Sequence, residues 1–150
     1  MTTRPFDDHA IHWTRFGEFV PAFSYHILHV DPRSRIADVL FKLPAGEQIV
    51  LHRHRALNHT LVLQGEHRLY ETDGSLREIR PTGSYTVSPA SELPHREGGG
   101  EQDVIIAFSI RPGDDEVLYE LLDDALQPIG TVTFAMLVEL HQAQLAAVPG

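Results

Sequence analysis

Short alternating apolar and polar runs, separated by glycine and proline turns, recur along the chain and limit its fold more than any other feature. Three runs are typical of β-strands: "FSYHILHV" (23–30), "RIADVLFKL" (35–43) and "DVIIAFSI" (103–110), of which the last is the most apolar. Turn signals such as "DPRS" and "TDGS" separate the runs. With 11 glycines and 10 prolines in 150 residues, this pattern favours an all-β chain with many turns.

The C-terminal segment follows a different period. Thr133 is the expected N-cap of a helix. Apolar and aromatic residues then recur at helical spacing, at Phe134, Leu137, Val138, His141 and Leu145. One terminal helix after many short strands predicts a β-barrel or sandwich with a helix packed outside it. We therefore expect one domain over residues 1–150, with a core at about 23–122 and a helix at about 133–146.

Composition excludes several functions. The chain has no cysteine, so disulfides and thiolate sites are excluded and a metal site would need His, Asp or Glu. The net charge is −9 and no basic run is present, which argues against nucleic-acid binding. No apolar run approaches the length of a membrane span, so we expect no membrane association and a cytoplasmic location.

The histidines are the main chemical signal. His52 and His54 stand two residues apart in a strand pattern, so their imidazoles share one face and could converge on a metal. Such a pair alone is common, and a hydrogen-bonded polar core or an exposed face would explain it equally well. His59 follows on the next strand, and His95 follows a later strand after Pro94. These positions favour a metal without excluding the other two explanations.

This arrangement resembles the cupin family of small β-barrels, whose metal lies in the mouth of the barrel. The first cupin motif is matched at Gly46, His52, His54 and Gly65. The second motif is resembled at Gly83, Pro89 and His95. Asn58 stands where the first motif usually has glutamate. The resemblance implies an all-β fold of the cupin type (a double-stranded β-helix, or jelly-roll barrel) with a C-terminal helix.

A narrower resemblance covers roughly residues 37–148. The stretch "HRHRALNHTLVLQGEHRLYE" is similar to cupins of the 2,4′-dihydroxyacetophenone dioxygenase and ChrR-like type. It implies a divalent metal held by His52, His54, His95 and Glu71, with the glutamate moved to a later strand. Glu71 could instead be a strand-end carboxylate in solvent. We expect Glu92 and Glu97, which flank His95, to be solvated, and His67 could share the face of Glu71.

The resemblance also implies a function. The first hypothesis is a non-haem dioxygenase that uses O2 and Fe2+ to break a carbon–carbon bond of a small hydroxy-ketone or β-diketone; Zn, Ni or Mn remain open as the metal. The alternative is a non-catalytic zinc-binding regulatory or sensor cupin. His59 would hydrogen-bond a ligand or the substrate, or would be a polar residue at a strand start. Five residues are candidate pocket walls: Phe41, Leu61, Leu63, Tyr85 and Phe108.

We also expect a homodimer, because the early apolar strand "FSYHILHV" could pair with the sheet edge of a second copy.

Overall fold

The computed structural model describes residues 6–147, which form twelve strands and one helix. The elements, in chain order, are β1 Thr14–Arg15, β2 Ser24–Asp31, β3 Ile36–Leu43, β4 His52–His54, β5 Leu57–Gln64, β6 His67–Tyr70, β7 Leu76–Arg80, β8 Tyr85–Ser88, β9 Arg96–Gly98, β10 Val104–Arg111, β11 Val117–Leu122, β12 Pro128–Thr133 and α1 Phe134–Ala147. The expected all-β fold with a C-terminal helix is confirmed.

The strands form three antiparallel sheets. The largest has the order β1-β2-β3-β10-β5-β8, and the two smaller sheets have the orders β12-β11-β4 and β7-β6-β9. Strand β10 lies between β3 and β5, so neighbours in the sheet are distant in the sequence. This non-sequential order encloses one apolar core between the sheets.

Strand β10 supplies the centre of that core. Val104, Ile106 and Ile110 are fully enclosed, and Phe108 packs edge-on against Phe41 of β3 with ring centroids 5.1 Å apart. The sequence predicted this run as the most apolar strand. It pairs with β3 at one edge and with β5 at the other, and all but three of its eight side chains are buried.

Helix α1 begins and ends within one residue of its predicted bounds. The hydroxyl oxygen of Thr133 accepts a hydrogen bond from the Met136 amide at 3.2 Å, as the predicted N-cap requires. Phe134 and Leu137 are buried, but Leu145 is exposed, so the last part of the predicted apolar stripe does not reach the core. No helix in residues 6–147 has both the length and the apolar character needed to cross a membrane.

The helix covers part of the edge of β2. The buried side-chain amide of Gln144 accepts a hydrogen bond from Ile27 N at 2.9 Å and donates one to Ile27 O at 2.8 Å, as a neighbouring strand would. Strand β1 pairs with Ser24 and Tyr25 of the same edge. The edge that we expected to pair with a second copy is therefore partly occupied within the chain. A homodimer remains a prediction that needs a different or smaller contact.

Candidate metal centre

Four buried side chains converge at one end of strands β4 and β9. They are His52, His54, His95 and Glu97, and one nitrogen or oxygen atom from each lies within 4.8 Å of the others. All four are at most 9% exposed. A cluster of titratable side chains this deep in a core needs mutual hydrogen bonds or a bound cation, because isolated buried polar groups are costly.

The backbone explains how the histidines meet. In β4 the side chains of His52 and His54 point inward, and Arg53 points outward to ion pairs with Glu92 and Glu120. The shared face that the sequence predicted for the two histidines is therefore present. His95 comes alongside because its backbone and that of His52 exchange two hydrogen bonds, at 2.8 and 3.1 Å.

Glu97 connects the cluster to a further buried histidine. One carboxylate oxygen lies 2.7 Å from His52 Nε2 and 3.7 Å from His95 Nε2, and the other accepts a hydrogen bond from His67 Nε2 at 2.7 Å. Burial alone would raise the pKa of Glu97. Attraction to His52 and His95 in their protonated forms, together with the hydrogen bonds from His52 and His67, outweighs that effect and holds the pKa well below its usual value. Glu97 is therefore an anion inside the barrel.

Two imidazole nitrogens in the cluster are suited to a metal. Among residues 6–147, His54 Nε2 and His95 Nε2 are buried without a hydrogen-bond partner. Burial lowers the pKa of both histidines, most strongly that of His54, so both are neutral near pH 7. Neutral imidazoles beside a carboxylate are the donors that divalent transition metals prefer, provided that the coordinating nitrogen does not carry the proton.

The size of the cluster also fits one ion. Ligand atoms bound at about 2.1 Å lie at most about 4.2 Å apart, so atoms that all lie within 4.8 Å of one another need to close by no more than about 0.6 Å. His52 is already oriented, because its Nδ1 lies 2.8 Å from Val50 O and donates a hydrogen bond there, which directs Nε2 inward. The residues present therefore fit a divalent ion with three nitrogen donors and one oxygen donor.

His54 is oriented by a buried chain of hydrogen bonds. The Tyr119 hydroxyl donates to Asn58 Oδ1 at 3.0 Å, and Asn58 Nδ2 donates to His54 Nδ1 and to Ala56 O, both at 3.0 Å. In this arrangement Nδ1 accepts, so the imidazole proton is on Nε2. Binding a metal through Nε2 would require the Asn58 amide to turn and accept from Nδ1–H. Asn58, at the usual glutamate position of the motif, thus orients His54 by a hydrogen bond and is not itself part of the cluster.

Glu71, which we predicted as the fourth ligand, lies outside the cluster in this structure. Its side chain is 46% exposed, and Arg77 donates to both of its carboxylate oxygens at 2.7 Å. Strand alternation from His67 and Leu69 pointed to an inward side chain at residue 71. However, the β6–β7 register shifts after Leu69 and β6 ends at Tyr70, so Glu71 lies in the turn beyond the strand.

Glu97 takes the place that the sequence analysis gave to Glu71, and the expectation that Glu97 is solvated is wrong. The chain resumes as strand β9 directly after His95, and Leu69 of β6 stands opposite Glu97. Gly98 allows this close approach, because a Cβ at that position would lie 1.7 Å from Glu47 O. The available signal was the spacing: His95 and Glu97 are two apart, as are His52 and His54.

His59 does not reach the cluster in this structure, and its predicted contact with a ligand or substrate stays a prediction. In β5 the side chains of Asn58 and Thr60 point inward, whereas that of His59 points outward and contacts the Tyr85 hydroxyl on β8. Its one-residue offset from Asn58 places it on the opposite face. Leu61 and Tyr85 are on the same outer face and exposed, so they are not pocket walls.

Two cavities meet at Glu97 and Phe108. A smaller, apolar one of about 50 Å³ is lined by His52 and by aromatic residues that include the predicted wall residues Phe41 and Phe108. A larger one of about 380 Å³ lies between strands β5 and β8 on one side and β6, β7 and β9 on the other, and His54, His95 and His67 line it. The two histidines of the cluster whose Nε2 atoms are unpartnered thus line the larger cavity, which could admit a small ligand.

The fold and the His3Glu cluster are those of a cupin. Comparison with protein-family models matches the ChrR cupin-like domain over residues 4–112, more than half of the chain. The chain therefore belongs to the ChrR cupin-like domain family. No curated protein sequence matches it.

Solved structures agree with this fold. An RmlC-like cupin from Ralstonia eutropha JMP134 superposes with a TM-score of 0.72 at 19% identity, over 99% of this chain and 90% of that one. An acetylacetone dioxygenase from Acinetobacter johnsonii superposes with a TM-score of 0.69 at 15% identity, over 96% and 93% of the two chains. At these identities the likeness shows the fold alone.

Proposed function

We propose that the protein is a metal-dependent dioxygenase that breaks a carbon–carbon bond of a small hydroxy-ketone or β-diketone. The observation that carries the proposal is that His54 and His95, whose buried Nε2 atoms lack partners among the described residues, line a cavity of about 380 Å³. The likeness to an acetylacetone dioxygenase supports this choice of substrate class. Fold alone does not fix the chemistry, so the proposal depends on the site.

His52, His54, His95 and Glu97 would hold the ion, with Fe2+ as the proposed metal. When bound, such an ion supplies Lewis acidity and one-electron chemistry, which a reaction with O2 requires. Four protein ligands leave coordination positions of a six-coordinate ion free for substrate oxygens. A β-diketone offers two such oxygens.

The surrounding residues would orient the substrate and exclude water. Thr60 Oγ1 and His67 Nδ1 are buried, lack hydrogen-bond partners among residues 6–147 and line the same cavity. They are the groups available to hydrogen-bond a substrate. Phe108 and Leu69 supply apolar wall and limit the water around the metal end of the cavity.

Oxygen consumption tests the proposal. Protein loaded with Fe2+ under anaerobic conditions is mixed with aerated buffer and a panel of small β-diketones and hydroxy-ketones. We expect one O2 consumed per carbon–carbon bond cleaved, and no consumption by His95→Ala. Wild-type protein that binds Fe2+ fully but consumes no O2 with any member of the panel would contradict the proposal.

A second candidate is a non-catalytic zinc-binding regulatory or sensor cupin, which the ChrR description of the matching family favours. The same four residues would then hold Zn2+ and the cavity would hold a signalling ligand. Tight Zn2+ binding, a ligand-dependent change in partner binding and no turnover in the Fe2+ form would support this candidate over the dioxygenase.

A further inference from the structure

Arg80 is part of the larger cavity and stands beside the buried histidine that contacts Glu97. In the β6–β7 register Arg80 is directly opposite His67, so the two side chains share the inner face of the sheet. His67 in turn donates to Glu97 at 2.7 Å. Arg80 is therefore paired in register with a residue that contacts Glu97, and it lines the same cavity as residues of the metal cluster.

The guanidinium of Arg80 has hydrogen-bonding capacity left over. Its side chain is only 14% exposed, and its ion pair runs from Nε to Glu78 at 2.9 Å. Its two terminal nitrogens donate no hydrogen bond to any residue in the range 6–147. Arg77 differs, because Glu71 accepts two bonds from its guanidinium and Pro94 O accepts another. An enclosed arginine with free donors is suited to a planar anion.

Two further polar residues that line the same cavity have unpartnered side-chain atoms. Thr60 is 2% exposed, and its hydroxyl has no partner among the described residues; the same holds for Nδ1 of the fully buried His67. Unpartnered buried polar atoms are rare in proteins, and two on one cavity wall indicate a polar ligand there. Glu78, which is half exposed, is the one acidic neighbour of Arg80 within hydrogen-bond distance.

We propose that the larger cavity takes a small organic acid, whose carboxylate binds Arg80 while its carbonyl oxygens face the metal cluster. The contact of the carbonyl oxygens with the metal rests on the proposed function, and the contact of the carboxylate with Arg80 does not. A β-keto acid is the simplest compound of this class, because it combines a carboxylate with a carbonyl two carbons away. A cavity of about 380 Å³ restricts the ligand to a small molecule.

Two ligands of nearly equal size test this proposal. Acetoacetate carries the carboxylate, and acetylacetone replaces it with a neutral acetyl group. Binding of each to the zinc-loaded full chain, which undergoes no redox turnover, is measured by isothermal titration calorimetry. We expect Arg80→Gln to bind acetoacetate about 10- to 100-fold more weakly than the wild type, because a charge-assisted bidentate contact is lost. Acetylacetone binding should change by less than about twofold.

Arg68→Gln is the matched control. Arg68 is on the neighbouring strand β6, points away from the cavity and pairs with Glu66 two residues before it, as Arg80 pairs with Glu78. This variant should bind both ligands as the wild type does. Glu78→Gln should bind acetoacetate several-fold more tightly, because it removes the competing carboxylate. Equal acetoacetate affinity in Arg80→Gln and wild type, or equal losses for both ligands, would overturn the proposal.

A metal-free arm separates this inference from the proposed function. Acetate binding to the metal-free chain is followed by NMR for the wild type and Arg80→Gln. Acetate binding that depends on Arg80, in a chain that shows no metal-dependent turnover, would support the anion site and contradict the dioxygenase. The opposite result would be metal-dependent turnover in a chain that binds acetate and acetoacetate equally well with and without Arg80. That result would contradict the anion site and leave the dioxygenase proposal intact.

Discussion

Replacing Glu97 with glutamine should weaken metal binding and destabilise the metal-free protein. The carboxylate accepts two hydrogen bonds at 2.7 Å, from His52 and from His67. Glutamine has one oxygen and can keep one of them, so the loss is about 1.5–3 kcal/mol, the net value of a hydrogen bond to a charged group. That is a large part of the usual 5–15 kcal/mol of unfolding free energy. We expect the metal-free variant to fold with a lower denaturation midpoint.

The effect on the metal should be larger. Substitution of groups that only orient ligands reduces metal affinity by about 10- to 100-fold, so loss of the anionic ligand should cost at least about 100-fold. That corresponds to about 2.7 kcal/mol. Zinc affinity is measured by competition with a chelator, and stability by denaturant unfolding followed by circular dichroism.

Glu71→Gln is the control for this experiment. Its carboxylate is half exposed and pairs with Arg77 outside the cluster, so zinc affinity should equal that of the wild type. Wild-type zinc affinity in Glu97→Gln, together with a loss in Glu71→Gln, would refute the assignment and restore the ligand set that the resemblance implied.

Three other substitutions test the fold and the limits of the site. His59→Ala should keep its metal and its turnover within about twofold of the wild type, because residue 59 points to the outer face; a tenfold loss of turnover would contradict this placement. Gln144→Ala should lower the unfolding free energy by about 1–3 kcal/mol, because it leaves the backbone N–H and C=O of Ile27 in β2 without their partners. Gln142 is exposed, so Gln142→Ala should change the unfolding free energy little. Gly98→Ala should reduce the yield of folded protein, because the new Cβ would overlap a backbone oxygen of Glu47. A Cβ at residue 130 would meet open space, so Gly130→Ala should fold normally; thermal melts compare the two variants.

The parts of the site that depend on local alternation could be predicted from the sequence. His52 and His54 are two residues apart on one strand, which is enough to place them on the same face. The terminal helix was predictable for the same reason, because its period is visible over a few turns. The cupin resemblance supplied His95, which comes from a distant part of the chain and lies in the cluster.

The carboxylate of the cluster could not be placed in this way. Both Glu71 and Glu97 have a spacing that allows an inward side chain, and the choice depends on where β6 ends and β9 begins. The end of β6 follows from its register shift with β7, and the path of β9 is fixed by backbone hydrogen bonds such as that from Ile49 N to Glu97 O. Both are contacts between segments far apart in the sequence, and a local pattern contains no information on them.

Anomalous diffraction from a crystal of the metal-loaded protein tests the central claim most directly. Data collected at the absorption edge of the loaded metal should show one strong peak per chain, about 2.0–2.2 Å from nitrogen atoms of His52, His54 and His95 and from an oxygen of Glu97. A peak bound by Glu71, or no peak within 3 Å or so of the three histidines at full metal loading, would contradict the account.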